Sequence, residues 1–189
     1  LGSYRMLTTL GVNDPEELKK DSGLPFSAEA PSIYLQLPEN LPERVRALAR
    51  EIVADVPDNL YLQVAAIQSY LKQNYRYTLD TAVPPEGQDF VDSFLFETKE
   101  GYCDHFSTAM VVLLRSLGIE ARWVKGYAPG TPETDGSKTY VVRQSDAHSW
   151  VEVRFASAGW VPFEATPIAY GDAYAAGEGI RGFVQEPAN

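Results

Sequence analysis

The stretch EGYCDHFSTAMVVLLRSLG, residues 100–118, holds the single cysteine of the chain and one of its two histidines. Beyond Cys103, apolar side chains recur at the spacing of an α-helix, and Gly118 provides a stop signal. The recurring positions are Phe106, Met110, Leu113 and Leu117. The pattern predicts a mostly buried helix that begins at or next to Cys103.

Cys103 could be an inert buried side chain, half of a disulfide, a metal ligand or a nucleophile. A free cysteine is most often an inert buried side chain. A lone cysteine cannot form a disulfide within the chain, and one cysteine with two histidines, even beside Asp104, falls short of a zinc site. We therefore expect no metal and no cofactor.

Three features favour a nucleophile instead. The start of a helix leaves backbone N–H groups without partners, and its dipole favours thiolate over thiol. Gly101, just before the predicted helix, lets the backbone approach a substrate closely. A histidine follows on a later predicted strand, and a cysteine enzyme needs such a base.

Composition and charge narrow the class of protein. The chain has 189 residues, of which 44% are hydrophobic and 22% are charged, as in an ordinary globular domain. Its net charge of -10 argues against nucleic acid as a partner, because a phosphate backbone would be repelled. The longest uninterrupted apolar run, residues 109–114, is far too short to cross a bilayer.

The order of the periodic segments predicts an α+β fold. Amphipathic helices are indicated within residues 40–55 and 58–74, the second with Asp58 as its cap, before the cysteine helix. Four strand-like runs separated by turn residues follow, at residues 119–127, 138–144, 147–155 and 159–166. Helices first and an antiparallel sheet afterwards are typical of the α+β class.

We interpret residues 39–167 as the catalytic domain. Residues 1–38 lack clear periodicity and are predicted to form an extended N-terminal arm, and the Gly- and Ala-rich residues 168–189 an irregular C-terminal tail. The chain opens with LGSYRMLTTL, which has neither a start methionine nor a signal-peptide pattern. We therefore expect it to be a piece of a longer protein.

Of the two histidines, His148 is the better candidate for the base. It lies near the start of the predicted strand at residues 147–155, between small neighbours, and can face the helix end across a cleft. His105 is two residues from Cys103 and points to a different side of the helix. We expect His105 at the surface or behind the site.

An acid or amide must orient such a base. Glu152 shares a strand face with His148 but lies about 13 Å further along at the usual rise per residue. Asp146 is close in sequence and is expected to point away within a turn. Glu164, on the neighbouring predicted strand, is the acid that can reach the imidazole.

Three blocks together resemble the transglutaminase-like superfamily, in particular its bacterial branch in membrane-anchored proteins. The blocks are GYCDHFSTAMVVLLRSLGIEARWVKGY at 101–127, DAHSWVEVRF at 146–155 and GWVPFEATP at 159–167, in the family's order. With upstream segments the resemblance covers about residues 34–167. It implies a papain-like fold in which the cysteine helix packs on an antiparallel sheet.

The resemblance also implies roles for individual residues. Cys103 matches the family nucleophile and His148 the general base. Glu164 stands where the family usually has aspartate; being one methylene longer, it must reach the imidazole by a different rotamer. The implied chemistry is acyl transfer through a thioester, from a protein glutamine or a peptide amide to an amine or to water.

The oxyanion donors are only partly indicated by the sequence. The backbone N–H of Cys103 is one expected donor. A second cannot be assigned, and the upstream polar residues Tyr75, Tyr77 and Gln88 are candidates.

Three functions remain open at the level of sequence: a transglutaminase, a cysteine protease or amidase with the same residues, and a catalytically silent binding module. The expected partners are a protein or peptide substrate and an amine acyl acceptor. The family resemblance implies an extracytoplasmic domain of a bacterial membrane protein, with membrane-spanning segments flanking this region in the full-length product.

Overall fold

In the computed structural model of the chain, the helix that starts at Cys103 packs against a three-stranded antiparallel sheet. The structure describes residues 14–21, 33–84, 86–128, 130–133 and 139–167, and the helices and strands named here lie within these ranges. Among them, no helix is both long enough and apolar enough to cross a membrane.

The helices lie mainly in the first part of the chain. They are α1 Pro15–Leu18, α2 Glu43–Ile52, α3 Leu60–Asn74, α4 Phe90–Asp92 and α5 Cys103–Ser116. A π-helical segment at Ser93–Thr98 follows α4, and short 3-10 turns occur at Ile33–Leu35 and Gln144–Asp146. The predicted helices are present.

The cap of α3 differs by one residue from the prediction. Asn59, not Asp58, has the extended backbone of a cap, and its side chain accepts a hydrogen bond from the Leu62 N–H at 3.1 Å. The Asn59 side-chain amide also donates to the Lys19 carbonyl at 2.7 Å. An asparagine can accept and donate at once, which an aspartate cannot.

The strands form one main sheet and two short pairs. They are β1 Arg76–Tyr77, β2 Glu100–Gly101, β3 Ala121–Tyr127, β4 Thr131–Pro132, β5 Tyr140–Val141, β6 Ala147–Phe155 and β7 Gly159–Phe163. The sheet has the order β3–β6–β7 and is antiparallel throughout, while β1 pairs with β2 in parallel and β4 with β5 antiparallel. The α+β class predicted from the sequence is confirmed.

The register of the sheet decides which side chains meet α5. Lys125 lies opposite Ser149, and Trp123 opposite Val151, so these four share one face. Trp123 and Ser149 both contact a side chain of α5, which identifies this face as the one that packs on the helix. His148 lies opposite Gly126 on the other face, near the end of the sheet.

The described part of the N-terminal arm is not simply extended, which corrects the prediction for residues 1–38. Asp14 caps α1 with a hydrogen bond from the Glu16 N–H, Pro15 begins the helix, and Leu18 is buried in the core. The boundary at residue 39 stays a prediction. Residues 1–13, 22–32 and the predicted tail at 168–189 lie outside the described residues.

The arm is fastened to the sheet by a buried carboxylate. Asp21 is 6% exposed and accepts hydrogen bonds from the backbone N–H groups of Ala156 and Ser157 and from the Ser157 hydroxyl. These donors belong to the turn between β6 and β7. Residues 14–21 are therefore part of the folded domain.

The segment that leads into α5 is held by an ion pair between the half-exposed Arg44 and the buried Asp92. The Arg44 guanidinium donates two hydrogen bonds to the Asp92 carboxylate, at 2.6 and 2.7 Å, and one to Glu97 at 2.8 Å. It also lies over the Phe96 ring, 4.5 Å from its centroid. This bidentate geometry joins α2 to the turn before the cysteine.

A neighbouring ring requires glycine at position 101, which is a reason that the sequence did not reveal. The residue is buried, and an added Cβ would lie 2.4 Å from Cγ of His105. His105 is itself 6% exposed, packed between the rings of Phe90 and Tyr102, and accepts a hydrogen bond from the Tyr102 N–H. His105 thus lies behind the helix start and not at the surface.

Gly101→Ala should lower the free energy of unfolding by about 1–3 kcal/mol, because Cβ and the His105 ring cannot both fit. Urea denaturation followed by tryptophan fluorescence measures the change. In a His105→Ala background the same substitution should cost much less, since the clash is removed. Equal costs in both backgrounds would contradict this account of Gly101.

Candidate active site

Three elements bring the predicted site residues to one place. Cys103 is the first residue of α5, His148 is the second residue of β6, and Glu164 directly follows β7. The register pairs Phe163 with Val151, so Glu164 follows on the face that carries His148, on the neighbouring strand. Cys103, His148 and Glu164 are all buried, with exposed fractions of 9%, 3% and 5%.

The predicted contact between the acid and the histidine is present. Nε2 of His148 lies 2.5 Å from Oε2 of Glu164. The other carboxylate oxygen, Oε1, accepts a hydrogen bond from the Thr166 N–H at 2.8 Å, and the Gln68 side chain donates to the Glu164 carbonyl. A proton on Nε2 gives each carboxylate oxygen one donor, so this tautomer fits the contact with Glu164.

The second ring nitrogen, Nδ1, is buried and is the ring atom left to interact with Cys103. Burial by itself lowers the pKa of His148, but hydrogen bonds with Cys103 and Glu164, together with their negative charge, raise it to about 9. Burial raises the pKa of the Cys103 thiol, but hydrogen bonds from His148 and Ser149 outweigh it and lower that pKa overall. The two shifts favour thiolate beside imidazolium.

A chain of hydrogen bonds that the sequence did not reveal supports the start of α5. The Trp123 indole N–H donates to the Ser107 hydroxyl at 2.8 Å, and the Ser107 and Ser149 hydroxyls lie 2.9 Å apart. The Ser149 hydroxyl donates to Oδ1 of Asp104 at 2.8 Å. Ser107 also reaches the carbonyl of Cys103 at 2.7 Å. The chain thus joins α5 to β3 and β6 at the cysteine.

The Asp104 carboxylate also forms an ion pair through its other oxygen, Oδ2. Lys125 Nζ lies 3.0 Å from Oδ2 of Asp104. The sequence offered one signal for this cluster. Trp123 and Lys125 are two residues apart on a predicted strand, so their side chains lie on the same face. Their partners could not be named, because the register between β3 and β6 is not encoded locally.

The two acids set aside in the sequence analysis have other partners. Glu152 accepts a hydrogen bond from Arg122 at 2.7 Å. Asp146 lies in the turn before β6, where its carboxylate accepts from the Arg143 N–H.

The oxyanion candidates occupy different environments. Cys103 supplies the first N–H of α5, a group that a helix leaves without an intrahelical acceptor. The Tyr75 hydroxyl is buried and donates to the Leu95 carbonyl at 3.1 Å, so its proton is used within the core. Tyr77 is paired with Gly101 in the short parallel ladder. Gln88 is half-buried in the segment before α4.

Trp150 supports the histidine from the face opposite α5. Its ring is close to parallel with the His148 ring, with centroids 6.4 Å apart. A Cβ on Gly126 would lie 2.8 Å from the same indole. Gly126 therefore leaves the space in which Trp150 lies beside His148.

The chain is similar to known proteins of one superfamily. The model of the transglutaminase-like superfamily matches residues 46–165. The uncharacterized protein YebA of Bacillus subtilis is 47% identical over 173 residues, which cover 88% of this chain and 23% of YebA. A protein-glutamine gamma-glutamyltransferase of Pseudomonas aeruginosa is 39% identical over 132 residues, covering 70% of this chain and 19% of that protein. The chain thus spans about a fifth of these relatives.

Solved structures show the same fold. The periplasmic domain of TgpA from Pseudomonas aeruginosa superposes with a TM-score of 0.64 at 36% identity, over 76% of this chain and 49% of that one. A putative cysteine protease from Cytophaga hutchinsonii gives 0.51 at 22% identity, over 70% of this chain and 40% of that one, which is a likeness of fold. The papain-like architecture expected from the sequence is confirmed.

The thiol of Cys103 should react with iodoacetamide at a rate that stays high well below pH 8.5, the usual pKa of a free cysteine. Because imidazolium attracts an anionic reagent, iodoacetate should react faster relative to iodoacetamide while His148 is protonated. That ratio should fall as the pH rises through about 9, where His148 loses its proton. Stopped alkylation reactions analysed by mass spectrometry measure both rates.

His148→Ala is the matched control for this measurement. It should move the iodoacetamide profile up toward that of an ordinary thiol and remove the inflection in the reagent ratio. A wild-type profile that already follows an ordinary thiol titration would contradict the pairing of Cys103 with His148.

Proposed function

The chain belongs to the transglutaminase-like superfamily, and from that membership we propose that it is the catalytic core of an enzyme that transfers acyl groups through a cysteine thioester. The observation that carries the proposal is the buried contact of His148 with Glu164, together with the interaction of His148 with the Cys103 thiol. A buried histidine held by a carboxylate next to a cysteine is the arrangement that makes a thiol nucleophilic.

In the first step Cys103 acts as the nucleophile. Its thiolate attacks the carbonyl carbon of a carboxamide, and the developing oxyanion is stabilised by the Cys103 N–H at the start of α5. The carbon–nitrogen bond then breaks, and the imidazolium of His148 gives its proton to the departing ammonia or amine. The product is a thioester on Cys103 and a neutral His148.

In the second step an amine or water attacks the thioester. The carbon–sulfur bond breaks, His148 takes the proton of the incoming nucleophile, and the thiolate–imidazolium pair is restored. Glu164 keeps Nε2 protonated, so Nδ1 faces Cys103 and exchanges the proton. The carboxylate also stabilises the imidazolium each time it forms.

Tyr77 remains a candidate for the second oxyanion donor, because its strand partner, Gly101, is two residues from the nucleophile. Gln88 remains a candidate as well. Tyr75 is a weaker one, since its hydroxyl proton already has an acceptor in the core.

The acyl donor is a protein glutamine and the acceptor an amine. The name of the Pseudomonas aeruginosa relative, a protein-glutamine gamma-glutamyltransferase, supports this choice over peptide hydrolysis. Water competes with the amine for the same thioester, so hydrolysis is the alternative fate of one intermediate.

The domain acts outside the cytoplasm, in a membrane-anchored protein with apolar segments flanking this region. Support comes from TgpA, of which the solved domain is periplasmic. The substrates are then proteins or peptides of that compartment, and no nucleic acid is involved.

One assay separates the possible activities. Purified protein is incubated with a glutamine-containing protein and a fluorescent primary amine, and amine incorporation, ammonia and new amino termini are measured in parallel. A transglutaminase gives ammonia with incorporated amine, whereas an amidase gives ammonia alone and a protease gives new termini. No product, or equal product from Cys103→Ala, would overturn the proposal.

Glu164→Gln should reduce kcat by about 100-fold or more, as loss of the orienting carboxylate does in other triads. Both oxygens of Glu164 accept hydrogen bonds, and an amide supplies only one acceptor. If the amide oxygen stays on the Thr166 N–H, its NH₂ faces Nε2 and forces the proton onto Nδ1, which then cannot act as a base.

Glu164→Asp keeps two acceptors and should retain more activity than Glu164→Gln. Glu152→Gln is the matched control, because Glu152 pairs with Arg122 and not with His148. Steady-state turnover in the amine-incorporation assay measures all three. Full activity of Glu164→Gln would rule out the proposed role of the carboxylate.

A further inference from the structure

Beside the thiol, the chain already binds an ammonium group of its own. Lys125 Nζ lies 3.0 Å from Oδ2 of Asp104 and 4.8 Å from the centroid of the Trp123 ring. A carboxylate and the face of an indole are the two groups that best hold an ammonium in water. We call Asp104 and Trp123 together the ammonium cradle.

The cradle is next to the reacting atoms. Oδ1 of Asp104 lies 3.9 Å from Sγ of Cys103. An acyl group on that sulfur therefore has its carbonyl carbon close to the Asp104 carboxylate. The pKa of Lys125 is raised, chiefly by its hydrogen bond to Asp104. The negative charge of Cys103 makes a smaller contribution, so the Lys125 ammonium is close enough to the thiol to interact with it.

The anion of this pair is hydrogen-bonded and mostly buried, whereas the cation is exposed. The Asp104 side chain is 22% exposed and receives a hydrogen bond from Ser149, which is fully buried. The indole is held through its N–H by Ser107. Lys125, in contrast, is 59% exposed on a flexible stem, and such an ion pair contributes little to stability.

We propose that the cradle is the binding site for the acyl acceptor, and that the acceptor's primary ammonium group, such as a lysine side chain, displaces Lys125 from Asp104. The inference rests on the proposed function and names its acceptor class. Asp104 is then a binding residue that presents the acceptor nitrogen to the thioester. Lys125 competes with the acceptor and neutralises Asp104 when no acceptor is bound.

The chemistry balances with the residues already described. The bound ammonium releases one proton to solvent, and the free amine attacks the thioester carbonyl. The carbon–nitrogen bond forms, the carbon–sulfur bond breaks, and the second proton passes from nitrogen to His148. Asp104 stays ionised throughout, so its part is to attract and orient the acceptor.

The test compares two acceptors that use the same thioester. One is a monocationic alkylamine and the other is hydroxylamine, which is uncharged at neutral pH. The quantity measured is the ratio of kcat/KM for the alkylamine to kcat/KM for hydroxylamine, with a fixed glutamine donor, so that changes in acylation cancel. Asp104→Asn should lower this ratio about fivefold, as expected for loss of a charge-assisted contact.

Lys125→Met should change the ratio in the opposite direction, raising it several-fold, because the internal ammonium no longer competes. This substitution is on an exposed side chain, so it keeps the inference testable if Asp104→Asn fails to fold. Asp55→Asn is the matched control: it makes the same change of charge on an exposed residue between α2 and α3 and should leave the ratio unchanged.

The outcomes separate this inference from the proposed function. Opposite shifts of the ratio in Asp104→Asn and Lys125→Met support the cradle. An unchanged ratio in both variants, with products still formed from both acceptors, overturns the cradle and leaves the transglutaminase function standing. Wild-type protein that transfers acyl groups to neither amine overturns both.

Discussion

Burial of α5 is the constraint on which the rest of the molecule depends. Five of its side chains are completely buried against the sheet and the neighbouring helices: Phe106, Ala109, Met110, Leu113 and Leu114. Burying each large apolar side chain contributes about 1.5–3 kcal/mol, so the helix cannot rotate without a large loss of stability. A rotation by one residue would turn Cys103 about 100° away from β6. The core thus sets the direction of the thiol, although the thiol is not part of the apolar cluster.

Burial of the polar groups beside the start of this helix carries a desolvation cost. His148 and Glu164 are both nearly excluded from solvent, and a buried charged pair rarely stabilises a fold relative to apolar residues of the same size. Lys72 of α3 is a further cost, since burial lowers its pKa while the charge of Glu164 partly offsets this. Hydrogen bonds from Thr166 and Gln68 surround Glu164 and hold it in one geometry. The acid is therefore oriented by one hydrogen bond to its carboxylate and one to its backbone carbonyl.

The parts of the structure that follow from local patterns were predictable, and those that depend on distant partners were not. The start of α5 at Cys103 follows from helical periodicity, and the contact of Glu164 with His148 follows from the order of the strands. The cap at Asn59 was missed by one residue because Asp58 and Asn59 are both good caps, and a contact with Lys19 separates them. The burial of His105 and the bonds of Asp104 could not be read from spacing, because their partners come from other elements.

The Asp21 carboxylate has a consequence for how the chain folds. Asp21 is hydrogen-bonded to Ser157, which is 136 residues further along the chain. The N–H groups that Asp21 binds lie in the turn that connects the paired strands β6 and β7. Closing so long a loop costs entropy that no local contact repays, which raises the contact order of the domain. We therefore expect the arm to dock after the hairpin carrying His148 has formed, and to hold the end of that hairpin farthest from the thiol.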